Sequence, residues 1–249
     1  DSVEALAHPV FFADHDTVRA RLRLVAAAAT GLATLAALAW SSGFDAWLTA
    51  RIAGLHATSG LYTAADVYSQ WAPGLFYLPF LAMLAPGLAQ GQSRLREMGT
   101  AYLAAQLFGA VLLTHLLKMG VDRMRPHASP DAATGVLHGL HASFPSSHTV
   151  DVAIGALFVL MLVRARPLRL LAVAAALSMG LARLVLGRHY ASDVLAGLAL
   201  GAATVTAVVQ VYLLPRLRQR ALCPRTVSAP ESILARVARF NRRAYRPIR

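Results

Sequence analysis

With 249 residues, 57% of them hydrophobic and 14% charged, the chain is too apolar for an ordinary soluble domain, in which about 25% of residues are charged. Its single cysteine, Cys223, excludes an internal disulfide framework. The net charge of +12 fits either a nucleic-acid binder or a membrane protein with one basic face, and where the charges fall separates the two.

Six apolar stretches approach the roughly 17–25 residues that a bilayer-crossing helix requires. They are Leu22–Trp40, Ala72–Gln90, Thr100–Leu117, Ser147–Val163, Leu168–Leu186 and Asp193–Leu214. Alanine and leucine dominate them, which suits helices and not a barrel. The predicted fold is therefore all-α and polytopic. Six transmembrane helices fill residues 22–214, between an N-terminal cytoplasmic segment (1–21) and a basic cytoplasmic tail (215–249). Ala37-Leu38-Ala39 at the end of the first stretch also resembles a signal-peptide cleavage site, but the long preceding segment with Asp14 and Asp16 favours a retained span. Residues 43–70 read as an external loop holding a short amphipathic helix.

Arg19, Arg21 and Arg23 precede the first stretch. Arg94 and Arg96 lie between the second and third, and Arg164, Arg166 and Arg169 between the fourth and fifth. Ten more arginines follow the last, so eighteen of the 24 Lys and Arg fall on one side if the spans alternate. The positive-inside rule assigns that side, with both termini, to the cytoplasm. The basicity reads as topology, and no nucleic-acid partner is expected. In the tail, Ile233, Leu234, Val237 and Phe240 share a helical face bordered by arginines, the pattern of a helix lying on anionic lipid. Cys223 reads as a free thiol.

Three clusters remain, all on the opposite, external side. Lys118, the chain's one lysine, ends the third stretch, and Arg125-Pro126 follows after six residues. Proline holds its predecessor in extended geometry, so Arg125 leaves the helix; taken alone, both cations fit simple snorkelling. Pro145-Ser146-Ser147-His148 opens the fourth stretch. The unpaired N–H groups of a helix start favour an anion, and here a histidine sits in that turn. Arg183 closes the fifth stretch, and His189 precedes Asp193 by four residues. A carboxylate at that spacing reaches one ring nitrogen and fixes the tautomer, leaving the other as nucleophile or base.

His115, His127, His138 and His141 with Asp131 match no standard zinc spacing, and no metal is expected. Asp151, one turn after His148, suits pairing with a nearby cation or helix-end electrostatics. Gly197 and Gly201, four apart, suit a close helix-packing face.

Together the clusters resemble the signature of the type 2 phosphatidic acid phosphatase superfamily. That signature runs Lys, six residues, Arg-Pro; then Pro-Ser-Gly-His; then Ser-Arg, five residues, His, three residues, Asp. Lys118, Arg125, Pro126, Pro145, Ser146, His148, Arg183, His189 and Asp193 match it, over a resemblance of about residues 72–214. Ser147 replaces the glycine and Ala182 the serine before the arginine, so a hydroxyl expected beside Arg183 must come from elsewhere.

The resemblance implies a membrane phosphatase acting on a lipid phosphate or diphosphate. Lys118, Arg125, Ser146, Ser147 and Arg183 would bind phosphate. His189, oriented by Asp193, would form a phosphohistidine, and His148 would protonate the leaving oxygen and then activate water. No cofactor is implied. Polyprenyl diphosphate, phosphatidylglycerol phosphate, phosphatidic acid and lipid A are the family's bacterial substrates. A lipid-to-lipid phosphotransferase with the same site is an alternative, and a non-catalytic lipid-binding protein a remote one. The implied location is a bacterial inner membrane with the site facing outward.

Overall fold

A computed structural model describes residues 12–53, 59–126 and 142–222. Among them all regular structure is helical, apart from one isolated antiparallel bridge between Phe12 and Val163. α1 (His15–Ser41) begins where the Asp14 carboxylate accepts the Thr17 N–H at 2.8 Å, which satisfies one orphan donor of the first turn. Gly43, at φ +76°, turns the chain into the short α2 (Phe44–Ala53). That positive φ suits glycine and little else.

α3 (Ser59–Ala89) carries Pro73, Pro79 and Pro86 inside its 31 residues. α4 runs over Ser93–Val121, with a π-helical segment at Gln106–Leu113. α5 is Ser147–Leu162 and α6 is Arg166–Val185. α7 starts as Ala191–Val208, passes through a π segment (Val209–Leu213) and continues as Leu214–Leu222.

Among the described residues five helices are long and apolar enough to cross a membrane: α1, α3, α4, α6 and α7. The remaining apolar helix, α5, has 16 residues, about 24 Å at 1.5 Å per residue, against a hydrocarbon core of about 30 Å. Its shortness fits its place. α5 packs against α3, α4, α6 and α7, and Val150, Val152, Ile154, Phe158 and Met161 are wholly buried. It is the inner post of the bundle, wrapped by protein instead of lipid. α7 lies along both α1 and α5. A Cβ on Gly197 would fall 2.9 Å from the Ser146 carbonyl, and one on Gly201 2.8 Å from Ala153 Cβ. The glycine pair is thus the packing face the sequence suggested.

Three expectations shift in register. The loop at 43–70 is α2 followed by the first turns of α3, which starts thirteen residues before Ala72. The polar residues that disguised this stretch are used internally. Asp66 accepts from Gln70 Nε2 at 2.8 Å and pairs with Arg188, and Ser69 is 1% exposed. α1 starts at His15 instead of Leu22, and α4 at Ser93 instead of Thr100, where Leu95 and Met98 are buried. The basic tail helix, Cys223, His127, Asp131, His138 and His141 lie outside the described residues.

The bundle has two chemically distinct ends. At one, the Arg21 guanidinium donates to the carbonyls of Leu160, Met161 and Val163, and Arg94 donates to Ala13 O. The three sequence clusters collect at the other end, where α5 begins.

Candidate active site

His189 reaches the site through a Schellman turn. The Arg188 N–H donates to Arg183 O (3.2 Å) and the Gly187 N–H to Leu184 O (2.9 Å), with Gly187 at φ +62°. This stops α6 just after Arg183 and turns His189 inward, where it is 2% exposed. Burial pushes its pKa down to about 4, so the imidazole is neutral near pH 7. Its Nδ1 lies 2.8 Å from the Ser143 carbonyl and 3.7 Å from Asp193 Oδ2. The carbonyl accepts only from a protonated Nδ1, which leaves Nε2 with its lone pair. The nitrogen that the sequence assigned to Asp193 is therefore held first by a backbone oxygen.

Asp193 is fully buried and saturated. Its Oδ2 accepts the Ser143 hydroxyl and the Tyr190 N–H (2.8 Å), and its Oδ1 accepts Arg123 Nη1 at 2.7 Å. Its influence on His189 passes largely through Ser143, which bonds both residues. Ser143 also donates its N–H to Arg123 O at 2.7 Å, closing the base of the connection between α4 and α5.

Around these groups stand three cations. Lys118, 3% exposed, donates to Ala142 O. Arg183, 2% exposed, donates Nη1 to Ser69 Oγ at 2.7 Å, and its buried Nε has no partner among the described residues. Arg125 is half-buried beyond the end of α4, and burial with the neighbouring Arg188 charge lowers its pKa from the usual arginine value. Lys118 feels the charges of Arg125, Asp193 and Arg183, and His148 those of Arg183, His189, Arg188 and Arg125. The groups from all three clusters thus share one electrostatic neighbourhood.

Ser146 and Ser147 open α5 as expected. The Ser146 N–H donates to Asp193 O at 3.1 Å and its Oγ accepts from Thr149 at 2.9 Å, so the turn is welded to the start of α7. Ser147 stands in the place of a family glycine at no conformational cost, since it is absent from the positive-φ residues. The hydroxyl missing at Ala182 is supplied beside Arg183 by Ser69 of α3.

Sequence reasoning passed over Ser69, Ser143, Ser192, Asp45 and Arg123. Arg123 had one signal, a cation at the external face two residues before Arg125. The serines and Asp45 had none, because their partners lie up to 147 residues away.

Residues 99–216, which hold all three clusters, match the model of the PAP2 superfamily. The chain is a multi-pass, all-helical membrane protein. It is 34% identical over 133 residues to a lipid A 1-phosphatase of Rhizobium johnstonii, an alignment covering 49% of this chain and 54% of that protein. A lipid A 1-phosphatase of Rhizobium etli is 33% identical over the same length, covering 49% and 56%. The chain thus spans about half the length of these relatives. Among solved structures, a transmembrane PAP2-type phosphatidylglycerolphosphate phosphatase of Bacillus subtilis shares the fold. Its TM-score is 0.53 at 20% identity, covering 75% of this chain and 94% of that one.

Proposed function

We propose that the protein is an integral-membrane phosphatase that removes a terminal phosphate from a lipid phosphate or diphosphate at the external membrane interface. The observation that carries this reading is the gathering of Lys118, Arg125 and Arg183 beside a buried, neutral His189. Lys118 and Arg183 are withdrawn from water, a setting in which like charges are costly to hold together, and the nearby Asp193 carboxylate is engaged by Arg123. A phosphate dianion would offset most of this positive charge and give the Arg183 Nε an acceptor.

In the proposed reaction His189 Nε2 attacks phosphorus while Ser143 O holds its Nδ1 proton. The three cations and the N–H groups opening α5 take the charge of the equatorial oxygens. His148 gives its proton to the departing lipid oxygen and then takes one from the water that cleaves the phosphohistidine. Arginine and lysine do the charge work often given to Mg²⁺, so turnover is expected to need no metal.

A groove of about 810 Å³ supports a lipid substrate. Ala33, Ala37 and Trp40 of α1, Leu117 of α4, Pro145 and Ala199 of α7 are among its walls. Two of its walls, Leu117 and Pro145, are the chain neighbours of Lys118 and Ser146, which would hold a lipid phosphate. Lipid A phosphorylated at its 1-position is the first substrate to test, because the two Rhizobium relatives bear that activity in their names.

The test is phosphate release by detergent-purified protein in EDTA from lipid A, phosphatidylglycerol phosphate, phosphatidic acid and polyprenyl diphosphate. Release from at least one lipid is expected. No release by folded protein from any of them, with or without Mg²⁺, would overturn the reading, and transfer to a lipid acceptor would replace it.

A further inference from the structure

Arg123 lies outside the superfamily signature, yet it has the most constrained environment at this end of the bundle. Its guanidinium is sandwiched between the rings of Trp40 and Tyr190, each 3.9 Å away. Within that sandwich Nη1 donates to Asp193 Oδ1 (2.7 Å) and to Ser192 Oγ (2.6 Å), and Nη2 donates to Asp45 Oδ2 at 2.8 Å. Asp45 is 4% exposed and closes the circuit. Its Oδ1 accepts the Ser192 N–H at 2.9 Å, and its Oδ2 accepts the Ser192 hydroxyl. A planar guanidinium fits two carboxylates in one plane in a way that a lysine ammonium does not.

The arrangement joins separate parts of the chain. Trp40 ends α1, Asp45 begins α2, Arg123 follows α4, and Ser192 and Asp193 open α7. The network meets the site through one bond, from Arg123 Nη1 to Asp193 Oδ1. The other oxygen of that carboxylate is thereby turned to Ser143, whose carbonyl holds His189.

We infer that Arg123 and Asp45 form a positioning clamp. Held between Trp40 and Tyr190, it fixes the Asp193–Ser143–His189 chain and so aims His189 Nε2 at the bound phosphate. Neither residue touches the phosphate; they act through Asp193. The short helix α2, external to the membrane bundle, is thereby part of the catalytic apparatus. This inference rests on the phosphatase reading of the site.

The experiment compares wild type with Arg123→Lys, which keeps the charge and loses the fork, and with Asp45→Asn, which keeps the shape and loses the charge. Because misplacement of a reacting group by about 1 Å costs about 10²-fold, kcat on the best lipid should fall about 10- to 100-fold. KM should stay within about threefold, since the phosphate contacts remain. Arg123→Ala, assayed with millimolar guanidinium, should recover part of the lost kcat, whereas His189→Ala should recover none. Unchanged kcat in Arg123→Lys and Asp45→Asn would overturn the clamp. So would an Arg123→Ala loss that tracks its melting temperature and ignores guanidinium.

Orthovanadate binding, read by thermal shift, separates this test from the phosphatase reading. If wild type releases no phosphate but binds vanadate, the clamp still requires weaker binding in both conservative variants, and equal affinity would overturn it. If wild type neither turns over a lipid nor binds vanadate, the site reading falls and the inference with it.

Discussion

At position 189 burial and chemistry act together. An ordinary histidine takes its proton near pH 6.5, whereas folded His189 resists protonation until about pH 4. Between those values the unfolded chain binds a proton that the folded one refuses, so stability falls as pH drops from 6.5 towards 4. The loss from this residue is at most roughly 3 kcal/mol. Melting temperatures in detergent between pH 7 and 4.5 check this: wild type should lose more than His189→Asn. A second expectation concerns the hydroxyl under Arg183. Ser69→Ala leaves Arg183 Nη1 unpaired in a buried site, and a hydrogen bond to a charged group contributes about 1.5–3 kcal/mol. kcat/KM should fall about tenfold or more, chiefly through KM if the arginine binds phosphate as proposed. A loss below twofold would place Arg183 elsewhere in the mechanism.

Among the elements, α1, α4 and α7 frame the groove and α3 completes the site from behind. Ala33 and Ala37 are exposed residues of α1 on the groove wall, so enlarging them fills the groove without disturbing the core. Ala33→Phe and Ala37→Phe are expected to raise KM for long-chain lipid phosphates about tenfold, the cost of displacing one or two methylenes at about 0.8 kcal/mol each. Short-chain substrates should be unaffected. The apolar stretches named the membrane helices because lipid-facing residues advertise themselves. The same reading hid the start of α3, where Asp66, Ser69 and Gln70 look like loop residues but serve neighbouring helices. It gave the bounds of α5 to within a residue but hid its burial, since a buried post and a lipid-facing span are both apolar. The histidines, Asp193 and the cations Lys118, Arg125 and Arg183 were legible as local motifs. Ser69, Ser143 and Asp45 were not, because a single serine or aspartate acquires a role only when a distant partner is folded against it.

For the whole molecule, the separation of an arginine-rich end, where Arg21 and Arg94 bind backbone carbonyls, from the site end accords with the orientation proposed from charge. It would place α2 and the site outside the cytoplasm. In a Cys223→Ser background, Ala50→Cys on the exposed face of α2 should react with a membrane-impermeant maleimide in intact cells or spheroplasts. Labelling only after lysis would invert the topology and put the site inside. An external site would also bear on supply, since a lipid made in the inner leaflet would have to be moved across before its phosphate could reach Lys118 and Arg183.

Nucleophilic attack by His189 is tested most directly by the rate of phosphate release in EDTA from the fastest lipid, for wild type against His189→Asn. The variant keeps a polar group near Ser143 O and removes Nε2. The expected rate is more than about 10⁴-fold below wild type, beyond the roughly 10²–10⁴-fold that loss of a general acid or base alone typically brings. A variant that retains a tenth or more of the wild-type rate would contradict the mechanism, and the site would have to work through another group.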